Sequence, residues 1–276
     1  MNRSERTIKG PPCAAVRVVL VLFLFCVLAP WSALAQPADT ASSKGATTDT
    51  TRSAAPQPRT EYMGRRIAQT MHFNGAPWLI RKTREREENA SRMRQELRLK
   101  PGMVVCDLGC GNGYHTLPMA KAVGPHGRVF AVDIQPQMLY MLRQNLEAQR
   151  IANVTPILGS TYDPRLPDRS VDLVLLVDVY HEFAYPERML RAMHRALKPD
   201  GVIVLAEYRA EDPKVPIKPL HKMSKAQVNK ELTANGFRLV REFDGLPWQH
   251  LMFFGKAPAA PEPTAPKPED KSPPPK

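Results

Sequence analysis

From Met103 onward the chain alternates short apolar runs with amphipathic stretches, and this alternation constrains the fold more than any other feature of the sequence. The runs at 103–108 (MVVCDL), 128–134 (RVFAVDI), Val154–Leu158, Val171–Val179 and Val202–Glu207 have the near-continuous apolarity of strands covered on both faces. A helix is predicted over His115–Val123. The next opens on Pro136, where a missing N–H costs nothing, and sets Leu139, Leu142 and Leu146 on one face. A third runs from about Pro186 to Lys198, with Leu190, Met193 and Leu197 aligned, and Pro199-Asp200-Gly201 is expected to stop it. Ser224 is placed to cap a last helix ending at Gly236, and two closing strands follow near Phe237–Phe243 and His250–Gly255. Such strands, separated by helices, predict an α/β, doubly wound, Rossmann-like sheet of seven mostly parallel strands with helices on both faces.

In such sheets ligands bind beyond the carboxyl ends of the strands. There the sequence has Asp107-Leu108-Gly109-Cys110-Gly111-Asn112-Gly113, a glycine turn between the first strand and its helix. Asp133 ends the second strand, where a carboxylate can accept hydrogen bonds from both hydroxyls of a ribose. A dinucleotide turn normally reads G-x-G-x-x-G and holds a pyrophosphate at the helix N-terminus. Here the glycines alternate and follow an acid. A carboxylate at Asp107 repels a pyrophosphate and suits a cationic ligand with an amino-acid end, such as S-adenosylmethionine.

With these features the sequence resembles the class I S-adenosylmethionine-dependent methyltransferases, and among them the small-molecule, type 11-like enzymes. VVCDLGCGNG is similar to their first motif and VFAVDIQPQML to their second. SVDLVLLVDVYHEF, ALKPDGVIVLAEYR and the Gly236-Phe237 junction are similar to later landmarks, so that the likeness covers roughly residues 100–255. The resemblance implies that Asp107, Gly109, Gly111, Asn112 and Gly113 form the loop at the methionine end. It further implies that Asp133 holds the ribose and that Ile134 packs on the adenine. The family often has an acid after the third strand for the adenine amine; here Ser160 and Thr161 stand there, and Ser160 offers only a neutral hydrogen bond.

Methyl transfer is an in-line displacement, so the protein must mainly align a nucleophile and sometimes remove its proton. Asp178-Val179-Tyr180-His181-Glu182 ends the fourth strand on the same side. His181 is the candidate general base, with Asp178 or Glu182 orienting it or holding a substrate amine. The alternative is that His181 and Glu182 simply open a helix. Lys214, Lys218, His221 and Lys222 form a basic loop that could attract an acidic substrate or merely be solvated. Gln249 and His250 read as core or edge residues. Cys106 and Cys110 lack matched histidines and are too few for arsenic methylation, so no metal site is expected, the alternative being a catechol-type site using Asp178 and Glu207.

The ends differ from this core. Half of the 28 prolines lie before residue 61 or after residue 256. Residues 1–35 have the pattern of a secretory signal: a basic start, an apolar run at Val18–Leu28, and Ala33-Leu34-Ala35 for cleavage. The domain is thereby expected in the periplasm or outside the cell, with no stable membrane span after cleavage or, in the competing reading, held by an uncleaved N-terminal anchor, or in the cytoplasm if translation starts downstream, for which Met63 is available. Residues 36–60 read as a disordered linker and 257–276 as a disordered Pro-rich tail. Residues 61–100 are expected to be helical, with Arg84–Glu88 on a solvated face and Met63, Met71, Trp78 and Leu79 available as a lid. The net charge of +12 falls to +8 over 61–256 and is not gathered into a stripe, so no nucleic-acid partner is expected. A small-molecule methyl acceptor is the expected partner. The competing readings are a non-catalytic S-adenosylmethionine or nucleoside binder and an NAD(P)-dependent oxidoreductase. The latter is weakened by the glycine spacing and the lack of a Tyr-x-x-x-Lys pair.

Overall fold

The computed structural model describes residues 57–258; the signal-like segment, nearly all of the linker and the tail beyond 258 lie outside these residues. The described part begins with a hairpin of β1 (Glu61–Tyr62) and β2 (Arg65–Arg66). Three short helices follow: α1 (Ala76–Leu79), α2 (Arg84–Glu88) and α3 (Ala90–Glu96). The expected helical segment is therefore broken. Asn89, at φ 49°, ends α2 in the left-handed region, and its side chain accepts the Arg92 N–H to start α3.

The sheet then unfolds in the order anticipated: β3 (Val104–Leu108), α4 (Thr116–Val123), β4 (Arg128–Asp133), α5 (Pro136–Ala148), β5 (Val154–Leu158), β6 (Val171–Val177), α6 (Pro186–Ala196) and β7 (Leu197–Arg209). The two-residue β8 (Lys222–Met223), α7 (Lys225–Ala234), β9 (Phe237–Phe243) and β10 (Gln249–Lys256) complete it. Seven strands lie in the order β5-β4-β3-β6-β7-β10-β9, with β8 attached to the end of β7. All pairings are parallel except those of β10, which runs antiparallel to both β7 and β9.

Both faces are covered, as continuous apolarity requires. Cys106, Val174, Ile203 and Leu205 share one core cluster with Leu190 and Met193 of α6 and Leu232 of α7. Val105, Leu173, Leu175 and Val204 share the other with Met93 of α3 and Met119 of α4. Cys106 and Cys110 are free and buried, and burial pushes both thiols well above their ordinary pKa. Ser224 accepts the Gln227 N–H at 3.1 Å and caps α7, which gives way to Gly236 at φ 83°.

The boundary after α6 differs from expectation. The helix stops at Ala196 and β7 begins at Leu197, running through Lys198-Pro199-Asp200-Gly201. Leu197 is fully buried and pairs with Val171, and a Cβ at Gly201 would lie 2.8 Å from the Val171 carbonyl oxygen. Close strand approach therefore overrides the helix-stop reading of Pro-Asp-Gly.

The chain builds outward from β3 to β5, then returns to place β6 on the other side of β3. The loops leaving β3 and β6 consequently part, and a crevice opens where the glycine turn lies.

Candidate active site

The crevice is a cleft of about 480 Å³, within the range that holds a cofactor-sized molecule. One half is built from strand ends. Gly109 and Gly111 line it from the β3 turn, Asp133 and Ile134 from β4, and Ser160 and Thr161 from the loop after β5. Gly109 (φ 77°) could not carry a side chain, because its Cβ would lie 2.5 Å from Val179 Cγ2. The Gly109 and Cys110 N–H groups donate to the Val132 carbonyl at 2.8 and 3.0 Å, folding the turn back onto β4.

Asp133 has a structural duty as well. Its Oδ2 accepts the Gly111 N–H and its Oδ1 the Gln135 N–H, both at 2.9 Å. Burial raises its pKa, against the lowering effect of these backbone donors. Each oxygen keeps a lone pair for a further donor. Ser160 Oγ accepts the Asp163 N–H at 3.0 Å, so it is largely occupied in its own turn.

Three residues of the predicted loop set stand behind the cleft wall. Asp107 is buried and accepts the Thr116 hydroxyl at 2.5 Å; burial lifts its carboxyl to about 6. Gly113 lies against Leu117 and Leu142, where a Cβ would fall within 2.6 Å of both side chains, so its role is helix packing. Asn112 is buried, with its amide near the Ala76 carbonyl and its Oδ1 without a partner.

The other half is made by three converging segments. Asp178, at φ 54°, follows β6; a single 3₁₀ turn, Tyr180–Glu182, comes next and presents His181 and Glu182 to the cleft. His181 Nδ1 lies 2.7 Å from Glu207 Oε2 of β7, and the Tyr180 N–H donates to Glu207 Oε1 at 2.9 Å. The carboxylate thus fixes the ring and leaves Nε2 toward the cleft, 3.1 Å from His221 Nδ1. Burial alone would lower the His181 pKa, but Glu207 and Glu182 raise it above its ordinary value. Glu182 is pushed up to about 7 by burial and accepts the Met71 N–H at 3.2 Å. Gln249 donates to Asp178 Oδ2 at 2.8 Å, while Oδ1 is shielded and unpartnered. Burial, with Glu88 and Glu207 nearby, drives the Asp178 pKa well upward. His250 is buried and contacts the Met223 carbonyl at 2.9 Å, away from the cleft.

The third segment is N-terminal. Met71, Trp78 and Leu79 line the cleft, and Leu79 reaches the Gly111 turn, where an added Cβ would lie 2.6 Å from Leu79 Cδ1. Arg65 donates to the His181 carbonyl at 3.0 Å and pairs with Glu231 at 2.6 Å, fastening this segment to the histidine turn. The reading of Arg84–Glu88 as a solvated face is overturned for its two end residues: Arg84 is 4% and Glu88 1% exposed. Arg81, Arg84 and the Tyr208 hydroxyl saturate the Glu88 carboxylate at 2.5–2.8 Å, and such partners are what allow a buried charge. Tyr208 and Arg84 were missed as site residues because Tyr208 meets Glu88 and Arg84 meets His115 only through the fold, while the sequence offered Glu207 only as a metal-ligand alternative with Asp178.

Fold, glycine turn and acidic strand end define an α/β protein that takes a nucleoside-bearing ligand over the ends of its parallel strands. Residues 99–251 match the methyltransferase domain family, and the chain belongs to that family. A demethylmenaquinone methyltransferase of Geobacillus stearothermophilus is 31% identical over 113 residues, 41% of this chain and 48% of the relative. A protein-L-isoaspartate O-methyltransferase of Methanothrix thermoacetophila is 48% identical over 63 residues, 23% of this chain and 30% of the relative. The chain thus spans at most about half the length of the curated relatives named here. Among solved structures, an S-adenosylmethionine-dependent methyltransferase from Aquifex aeolicus superposes with a TM-score of 0.63 at 23% identity, covering 67% of this chain and 98% of that one. The cofactor of the family is S-adenosylmethionine, and the residues present fit it. Gly109 and Gly111 bring the turn to the cleft without side chains, Asp133 supplies a carboxylate, and Ile134 and Met138 form an apolar flank, a lining chemically compatible with that cofactor. Among the described residues no helix is long and apolar enough to cross a membrane.

Proposed function

We propose that this chain transfers a methyl group from S-adenosylmethionine to a small-molecule acceptor by in-line displacement. Gly109 and Gly111 admit the methionine end, Asp133 holds the ribose hydroxyls, Ile134 flanks the adenine, and Ser160 and Thr161 border its far edge. Asp107, Asn112 and Gly113 shape the turn from behind. The acceptor lies between the 180–182 turn and Lys218, under the cover of residues 61–100. His181 takes the acceptor's proton at Nε2, Glu207 steadies the cation that forms, and Asp178 and Glu182 orient the acceptor. The observation that carries this is the 2.7 Å His181–Glu207 contact, which turns Nε2 toward the cleft that the glycine turn borders, with His221 Nδ1 3.1 Å away. The secretory pattern of residues 1–35 supports a periplasmic or secreted location.

Calorimetric titration of the full chain with S-adenosylmethionine, S-adenosylhomocysteine and NAD tests the cofactor; saturable binding of the first two alone is the expected result, and binding of NAD alone refutes the reading. In an acceptor screen, His181→Gln should bind S-adenosylhomocysteine within threefold of wild type yet lose about 100-fold or more in turnover. Unchanged turnover removes His181 from the chemistry.

A further inference from the structure

His181, Glu182 and His221 come from two short turns that face each other across one corner of the cleft. His221 ends the 3₁₀ turn Pro219–His221, forty residues after His181, so no linear motif announces the grouping. One ligating atom from each residue lies within 4.8 Å of the other two. We propose that this corner is a binding site for a divalent first-row transition ion, with Zn²⁺ the best match, held by His181 Nε2, His221 Nδ1 and a Glu182 carboxylate oxygen.

The distances suit such an ion. Two nitrogens 3.1 Å apart, each about 2.05 Å from a common centre, subtend an angle of about 100°, close to tetrahedral. Glu182 Oε1 is 4.0 Å from His181 Nε2 and must close by about 0.6 Å to complete the same geometry. Its carboxylate ends a rotatable side chain and is held by the Met71 N–H and the Thr70 side chain. The surroundings also suit it. Metal-bound histidines commonly donate their other ring N–H to a carboxylate, which fixes the tautomer and strengthens the ligand. Glu207 stands in that place, 2.7 Å from His181 Nδ1, and is itself oriented by the Tyr180 N–H.

Charge favours a cation as well. The carboxylates of Glu182 and Glu207 bear on the corner; Lys218 is the basic side chain acting on His221. Imidazole with one carboxylate selects Zn²⁺ and its neighbours in the first row; Mg²⁺ and Ca²⁺ prefer all-oxygen shells. All three ligand residues border the cleft, so the fourth position opens toward the acceptor space, available to water or to an acceptor heteroatom. An ion there uses the Nε2 lone pair that would otherwise take the acceptor's proton. That consequence rests on the proposed function, whereas the binding itself does not.

The test is titration of chelator-stripped full-length protein with Zn²⁺ against a chromophoric competitor, with Co²⁺ absorption to report geometry and Mg²⁺ as control. One equivalent of Zn²⁺ should bind, Co²⁺ should give a tetrahedral-type spectrum, and Mg²⁺ should not compete. His221→Ala, at a half-buried position whose folding is checked by circular dichroism, should weaken Zn²⁺ binding at least tenfold, and Glu207→Gln by about 10–100-fold. Absence of a stoichiometric site in the wild type overturns the proposal, as does a site that His221→Ala leaves intact. S-adenosylhomocysteine binding, measured separately, reports on the methyltransferase reading, so either can fail alone.

Discussion

Asp133→Ala isolates the contact on which cofactor recognition should depend most. The wild-type carboxylate accepts two backbone N–H groups at 2.9 Å and retains a lone pair on each oxygen for the two ribose hydroxyls. A hydrogen bond to a charged acceptor contributes about 1.5–3 kcal/mol, so two of them at the lower limit contribute about 3 kcal/mol, roughly 150-fold in affinity. The same substitution leaves the Gly111 and Gln135 N–H groups without their side-chain partner. Asp133 lines the cleft, so water can replace it there. Burial also raises the Asp133 pKa, so removing the ionised group relieves a cost that partly offsets the lost hydrogen bonds. Binding should therefore fall much further than stability. Calorimetry with S-adenosylhomocysteine reads the first and thermal melting the second. Asp133→Asn, with one acceptor oxygen instead of two, should lie between Ala and wild type. An Ala variant that binds within threefold of wild type would refute the placement of the ribose.

Two further outcomes concern the turn around this contact. Burial lifts the Asp107 carboxyl from 3.8 to about 6, with the Thr116 hydroxyl and Arg84 opposing and Asp133 adding to the rise. Because the folded value is the higher one, ionised Asp107 destabilises the fold; the penalty is absent below pH 3.8 and complete above about pH 6, where it reaches about 3 kcal/mol. Asp107→Asn should flatten this fall in stability between pH 4 and 6, and thermal midpoints that keep the wild-type slope would contradict it. Gly109→Ala should cost more than Gly102→Ala although both glycines have positive φ, 77° and 86°. Only at Gly109 does the added Cβ meet a neighbour, Val179, so melting that shows equal losses would show that the close approach is unimportant.

What the sequence made legible was local. Continuous apolarity located β3, β4, β6 and β7, Pro136 and Ser224 marked helix starts, and Asp133 was readable from its place at a strand end. What escaped depends on residues far apart in the chain. Arg84 to Glu88 has the spacing of an exposed ion pair and lacks an apolar neighbour, so periodicity assigns it to solvent. Tyr208, 120 residues later, and His115 bring partners that make burial tolerable. Leu197 was likewise assigned to a helix face because its strand partner, Val171, precedes the whole of α6. His221 looked like part of a basic loop until the fold set its Nδ1 against His181.

The division of labour within the cleft follows from where these residues lie. The family match spans residues 99–251 and so includes the glycine turn, Asp133 and the 180–182 and Lys218–His221 turns, but not the segment before residue 99. Two relatives carry names that specify different acceptors, demethylmenaquinone and protein L-isoaspartate. The cover of this cleft comes from earlier residues. Arg65 and Ala68 donate to the His181 carbonyl, Met71 donates to Glu182, and Leu79 packs on the Gly111 turn. A segment so fastened to the proposed proton acceptor cannot change without moving it. Selection of the acceptor is therefore best sought in residues 61–71 together with the Lys218–His221 turn, and exchanging those segments, with Ala76 and Leu79 kept against the glycine turn, should alter acceptor choice more than S-adenosylhomocysteine affinity.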